Sequence, residues 1–153
     1  MAFELDAQHY AQLKKDLDDF LGNSDASAVL LCDRGGSILV ESGERPNESV
    51  DLISALVAGA FAATQELARV LGEDEFTAIF HQGRKTSIFI SAVGEEVLLL
   101  ALFNDNTNVG LVKMYALTAC RRIGTVIRDA MGHAQVAPKD PTQSFVVTKG
   151  PIF

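Results

Sequence analysis

A chain of 153 residues with 48% hydrophobic content can close one ordinary core, and nothing in its length demands a second domain. Thirteen basic residues against twenty acidic ones give a formal charge of −7, the wrong sign for a phosphate-backbone binder, so nucleic acid is not expected as a partner. Cys32 and Cys120 lie in apolar surroundings without disulfide-framework or metal-ligand spacing, and read as small core residues.

The N-terminal stretch MAFELDAQHYAQLKKDLDDF has neither a basic lead nor an apolar run with a cleavage site. It does not read as a secretory signal, and a cytoplasmic protein is expected. From Leu5 to Leu21, Tyr10, Leu13, Leu17 and Phe20/Leu21 recur at helical spacing between Lys14, Lys15, Asp16, Asp18 and Asp19. The pattern predicts an amphipathic helix ended by Gly22-Asn23. In SAVLLCDRGGSILVES two short apolar runs flank Asp33-Arg34-Gly35-Gly36. Glycine supplies the positive φ of a tight turn, so a β-hairpin is expected, stopping near Gly43 before a loop at Pro46-Asn47.

The run from Leu52 to Gln65 contains no charge. It predicts a helix capped by Asn47 or Ser49, with Asp51 in its first turn, running to Leu71 and stopping at Gly72. Its core, LISALVAGAFAAT, falls short of the ~20 residues a bilayer requires, so no membrane insertion is expected. FTAIFHQ, TSIFISAVG and EVLLLALF then read as three strands of a meander, separated by Gly83-Arg84-Lys85 and Gly94-Glu95-Glu96. In NTNVGLVKMYALTACRRIGTVIRDAM, Val112, Tyr115/Ala116, Ala119, Ile123, Val126/Ile127 and Ala130 share one face of a last helix, capped by Thr107 or Asn108.

The order α-β-β-α-β-β-β-α predicts an α+β domain over residues 1–131, an antiparallel five-stranded sheet with helices on its faces. Residues 132–153 hold three of the four prolines and read as a flexible C-terminal tail. Its apolar end, SFVVTKGPIF, is suited to adding to a sheet edge or docking in a partner's groove, and equally to remaining disordered.

At about 100° per residue, Ile53, Val57, Ala60, Thr64, Leu67 and Leu71 of the central helix fall in one sector, expected to lie on the sheet. Leu52, Leu56, Ala63 and Val70 fill a flank, Ala55, Gly59, Ala62 and Glu66 lie almost opposite the sheet, and Asp51, Ser54, Gln65 and Arg69 make the solvated flank. A helix apolar nearly all round is buried on more than one side, and a second copy of the chain is the simplest second wall. Leu52, Leu56, Ala63 and Val70 are therefore expected at a homodimer interface. The small row is either a surface for close approach by another protein or a helix-stabilising row lying against the chain's own loops.

Reactive groups that converge are absent. His9, His81 and His133 lie in a helix, a strand end and the tail without ligand spacing, so no metal and no cofactor is expected. GRKTS at 83–87 lacks the glycine placement of a phosphate-binding loop and reads as a hairpin turn, and GEDEF at 72–76 lacks cation-loop spacing. No catalytic residue is expected. The architecture leaves open a small-molecule sensor, for which Tyr115, Thr64 and Cys120 are the available polar groups, or a pure scaffold.

The hairpin AVLLCDRGGSILVESG, the helix LISALVAGAFAATQELARVLGE, the strand FHQG and LLLALFNDNTNVGLVKMYALTACRRI resemble the roadblock (dynein light-chain-like) family, in particular its MglB-type bacterial polarity regulators. The likeness covers about residues 5–131 and includes the N-x-G-L-V helix start at Asn108, Gly110, Leu111 and Val112. It implies a homodimer, with central helices side by side on a sheet continuous across both subunits, that serves as a platform for a Ras-like (MglA-type) small GTPase and stimulates its hydrolysis without an active site of its own. The resemblance assigns Ala55, Gly59, Ala62 and Glu66 to the GTPase-facing surface, with Arg69 beside them as a group able to reach a phosphate or to remain solvated. It implies no small-molecule cofactor, and recruitment to a cell pole only through partners.

Overall fold

A computed structural model describes residues 4–46 and 49–136. The chain runs α1 (Ala7–Ser24), β1 (Ala28–Asp33), β2 (Ile38–Gly43), α2 (Val50–Leu71), β3 (Ala78–His81), β4 (Ser87–Val93), β5 (Val97–Phe103) and α3 (Val109–Val136), the order predicted. Asn47 and the apolar tail end SFVVTKGPIF lie outside the described residues.

The five strands form one sheet in the order β2-β1-β5-β4-β3, and every neighbouring pair is antiparallel. The hairpin β1–β2 and the meander β3–β4–β5 thus join through β1 and β5. Alternation of side chains along these strands splits the interior into two cores. Val29, Leu31, Phe89, Val97, Leu99 and Ala101 face a layer built by α1 and α3. Ala28, Leu30, Cys32, Ile90, Leu98, Leu100 and Leu102 face α2. Covered on both sides, β5 is buried at every position, whereas the edge strands β2 and β3 are half-buried or exposed along most of their length. This explains why VLLLALF reads as a continuous apolar run rather than an alternating one.

Helix ends follow local chemistry. The Asp6 carboxylate accepts the His9 N–H at 2.8 Å and starts α1. The helix does not stop at Gly22-Asn23. It continues to Ser24 and ends on Asp25, whose left-handed backbone (φ 61°) lets its N–H reach the Leu21 carbonyl at 3.1 Å. Tyr10, predicted on the buried face, is exposed, while Leu13, Leu17 and Phe20 are buried. Asn108 starts α3, its side-chain oxygen accepting from Leu111 N–H at 3.0 Å, and the helix continues past the expected boundary at 131 to Val136.

Polar contacts clamp α1 to α3. His9 Nε2 lies 2.7 Å from the Asp129 carboxylate and Nδ1 lies 2.8 Å from Asp6, while Arg122 approaches Asp19 at 3.7 Å. Asp16 is buried in the same seam, accepting from the Gln12 amide at 3.0 Å. Burial pushes its carboxyl above the usual carboxylate range, against the opposing pull of Gln12 and Arg122. The charged form is therefore costlier in the folded than in the unfolded chain. That cost is fully present above the raised folded pKa and disappears once the pH falls below the ordinary carboxylate pKa, where both states are protonated. Asp16→Asn should accordingly raise the Tm at neutral pH, with the gain closing in strong acid. A thermal-melt series across pH checks this, and a gain that persists in acid would assign the effect to packing instead.

Candidate functional site

The turn of the β1–β2 hairpin seats α2. Asp33 Oδ1 accepts from the N–H groups of Gly35 and Ser37 at 3.0 and 2.9 Å, which folds the turn tightly. Gly36 sits at φ 94°, and a Cβ there would lie 2.7 Å from Ala55 Cα, so only glycine lets turn and helix approach this closely. Its carbonyl accepts the Ser54 hydroxyl at 2.6 Å. Two residues earlier in the turn, Arg34 holds its guanidinium 5.1 Å from the centroid of buried Phe61 and donates to the Gly94 carbonyl at 2.7 Å. At the other end of α2, the Gln65 amide donates to the Phe76 carbonyl at 2.7 Å.

These anchors rotate the helix from its expected setting. The buried face is Val50, Ser54, Val57, Ala58, Phe61 and Ala68, turned by roughly 80° from the sector that equal weighting of apolar positions selects. Ser54, assigned to the solvated flank, is 0% exposed, and Gln65 of that flank is half-buried. Leu67 and Leu71, expected on the sheet, point outward, while Ile53, Ala60 and Thr64 are half-buried. The reason is that a hydroxyl with a dedicated carbonyl acceptor packs like an apolar group, and Phe61 takes the deepest place on the sheet.

All four residues expected at a dimer interface are exposed: Leu52 at 58%, Leu56 at 66% and Val70 at 68%, with Ala63 between them. Leu67 and Leu71 extend the same strip, a continuation that the wheel hid by placing them inward. Ala55, Gly59, Ala62, Glu66 and Arg69 are likewise exposed, so the small row and the apolar strip form one continuous outer face. Ser49 is the helix cap and Gly72 its left-handed end. The helix is 22 residues long and has the predicted bounds; only its uncharged core is shorter than a bilayer requires. By length and composition alone it is long and apolar enough to cross a membrane, yet in this fold one side of it covers the sheet.

Glu66 and Arg69 make a two-pronged pair, with Arg69 Nε 2.9 and 3.1 Å from the two carboxylate oxygens. Mutual hydrogen bonding lowers the Glu66 pKa and raises that of Arg69. The small row therefore ends in a neutralised couple, and Arg69 would have to release Glu66 to reach another anion. Thr64 lies on α2, while Tyr115 and Cys120 lie on α3 across the sheet, so the three cannot line one ligand cavity. Cys32 is fully buried and its thiol is pushed up to about 11, chiefly by burial. Cys120 is half-buried, its Sγ 3.7 Å from Ser91 Oγ, and burial raises it too. His9 and His81 lie in α1 and at the end of β3, and the His133 side chain is outside the described residues. Gly83 N–H donates to Ser87 Oγ at 3.2 Å across the predicted β3–β4 turn.

Residues 13–103 match the Roadblock/LC7 domain family. By structure the chain is similar to the gliding protein MglB of Thermus thermophilus, at 30% identity and a TM-score of 0.78 over 84% of this chain and 97% of that one. It is also similar to an MglB with a tetrameric arrangement (30%, 0.79, 84% and 96%) and to Myxococcus xanthus MglB (28%, 0.75, 78% and 98%). No curated protein matches it by sequence.

Gly36→Ala should cost about 2–5 kcal/mol, the sum of a left-handed alanine and a forced shift of α2. Chemical denaturation measures it; a loss below about 1 kcal/mol would mean that the turn is not the seat of the helix.

Proposed function

The chain belongs to the Roadblock/LC7 domain family, and from that premise we propose that it is a homodimeric, non-enzymatic regulator of a Ras-like small GTPase of the MglA type, acting in the cytoplasm in control of cell polarity or motility. The observation that carries the reading is the outer face of α2. Leucine and valine side chains more than half exposed along successive turns of a helix are a standing cost in water unless a partner covers them. A second copy covers the strip Leu52, Leu56, Ala63, Val70, with Leu67 and Leu71 added. The adjacent β3 is an edge strand open to pairing, and Ile79 and Ile88 beside it leave apolar sheet surface half covered. Helix flank plus strand edge can supply the ~800 Å² per partner of an ordinary specific interface. The MglB similarity includes a structure described as a tetrameric arrangement, which supports self-association.

The row Ala55, Gly59, Ala62 then borders the dimer seam, where a GTPase loop can approach the helix backbone closely. Such a surface stabilises the hydrolysis-competent arrangement of the partner's own groups, for which complementary shape suffices and no nucleophile is needed. Glu66 and Arg69 supply a polar margin whose charges are already matched.

Two substitutions separate the two halves of this reading. Leu56→Glu should convert the dimer to monomer by light scattering, because it places a carboxylate in the apolar seam. Ala62→Arg should leave the dimer intact and abolish acceleration in single-turnover GTP hydrolysis by the co-occurring Ras-like GTPase. Normal acceleration by Ala62→Arg would remove the assigned face, and binding without any acceleration by the parent protein would make it a scaffold.

A further inference from the structure

The layer on the opposite side of the sheet carries a second exposed apolar group that dimerisation through α2 does not use. On α3, Met114 is 50% and Leu117 61% exposed, with Leu111 on their flank. The buried residues Val112, Ala116, Ala119 and Ile123 occupy the other side of the helix, so these side chains are not the edge of the core. At about 100° per residue Met114, Leu117, Arg121 and Arg128 project in nearly the same direction, and Lys113 borders them.

Charge is distributed unevenly along with them. From Val109 to Arg128 the helix holds Lys113, Arg121, Arg122 and Arg128 and no carboxylate, in a chain whose formal charge is −7. Arg122 leans toward Asp19 on α1, at 3.7 Å, and Asp129 is drawn to His9. Asp19 also receives Lys15 at 3.2 Å. Asp105 lies in the turn before the helix, and Glu95 and Glu96 lie in the turn after Val93, the β4 residue beside Gly124 of α3. Lys113, Arg121 and Arg128 therefore flank exposed methionine and leucine with cations, spread over about 22 Å at 1.5 Å per residue.

We propose that this face of α3 docks on an anionic lipid surface. The outward side of α3, turned away from its contacts with α1, offers no strand edge for an extended peptide to pair with. It suits a flat, deformable partner into which Met114 and Leu117 sink while the cations stay among the phosphates. The carboxylates of α1 lie in the same layer and oppose the contact only in part, since Asp16 is buried against Gln12 and Asp19 is engaged by Lys15 and Arg122. Apolar insertion distinguishes this surface from a site for a nucleic-acid backbone, which the cations alone would equally attract. Docking here leaves α2, on the other face of the sheet, free.

The test is flotation of the full chain with vesicles of phosphatidylglycerol and phosphatidylcholine, against phosphatidylcholine alone, at low and high salt. Binding is expected only to the anionic vesicles and is expected to weaken with salt. Affinity should fall by roughly fivefold for each of Lys113→Gln, Arg121→Gln and Arg128→Gln. Met114→Ser with Leu117→Ser should also reduce it, with only a small fall in Tm, since both side chains are half or more exposed and serine costs only a little helix propensity at each site. These residues are remote from α2, so oligomeric state and GTPase stimulation in solution should not change in the same variants, whichever way those activities turn out in the parent. Absence of binding to anionic vesicles, equal binding to neutral ones, or retention of binding in the triple glutamine variant would overturn the proposal. So would capture by polyglutamate in place of vesicles, which would assign the face to an acidic polypeptide.

Discussion

The contact between the hairpin turn and the central helix sets what the rest of the molecule can present. Gly36 and Ser54 meet through a 2.6 Å hydrogen bond, at a separation that excludes any side chain larger than hydrogen on the turn. Because the acceptor is a backbone carbonyl at a fixed place in the β1–β2 hairpin, this bond determines the rotation of α2 about its own axis. Phe61, under the Arg34 guanidinium, holds the same rotation about two turns further along. With α2 so fixed, Leu52, Leu56, Ala63, Leu67 and Val70 have no place to go but outward. The exposed strip is thus a consequence of how the helix is seated, not of surplus hydrophobicity scattered over the surface.

Two cores on opposite faces of one sheet divide the molecule into layers with different tasks. The central strands β1 and β5, buried on both sides, supply the rigid partition. On one side α2 covers its face thinly, leaving Ile79 and Ile88 half-exposed where a second wall fits. On the other side α1 and α3 cover most of their face, leaving Phe80 at the β3 edge exposed, and lock to one another through the His9–Asp129 and Arg122–Asp19 contacts. The two faces are therefore separated by a rigid partition of buried strands.

The titratable groups with shifted pKa among the described residues are held by burial or by one another. The thiols are pushed up by burial, which suppresses the reactive thiolate. Glu66 and Arg69 answer each other on the outer face. The buried carboxylate, Asp16, sits in the seam between two helices, where it affects stability and is far from α2. Under the proposed function a GTPase partner brings its own reacting groups, and the contribution asked of this chain is shape and a fixed backbone.

Element order, strand identity and the DRGG turn were legible in the sequence, and the caps of α2 and α3 were each narrowed to two residues of which Ser49 and Asn108 are the ones used, because periodicity, glycine placement and capping are local signals. The two rows placed away from the sheet, Leu52, Leu56, Ala63 and Val70 and the small row Ala55, Gly59, Ala62 and Glu66, do lie on the exposed side of α2. What local signals do not contain is rotation. A wheel gives Ser54 to solvent and Leu67 to the core, since it weighs side chains by polarity alone. Only the tertiary structure brings a carbonyl from another hairpin to the Ser54 hydroxyl, which makes the polar residue an inside residue and turns Leu67 and Leu71 out. The same holds for Tyr115, Thr64 and Cys120, which sequence alone can gather at one hypothetical site and which the sheet keeps apart. Sequence by itself determined which elements form and how apolar each is. The packing of one turn against one helix decided which of those apolar residues face water, because that choice depends on a hydrogen bond between residues 18 positions apart.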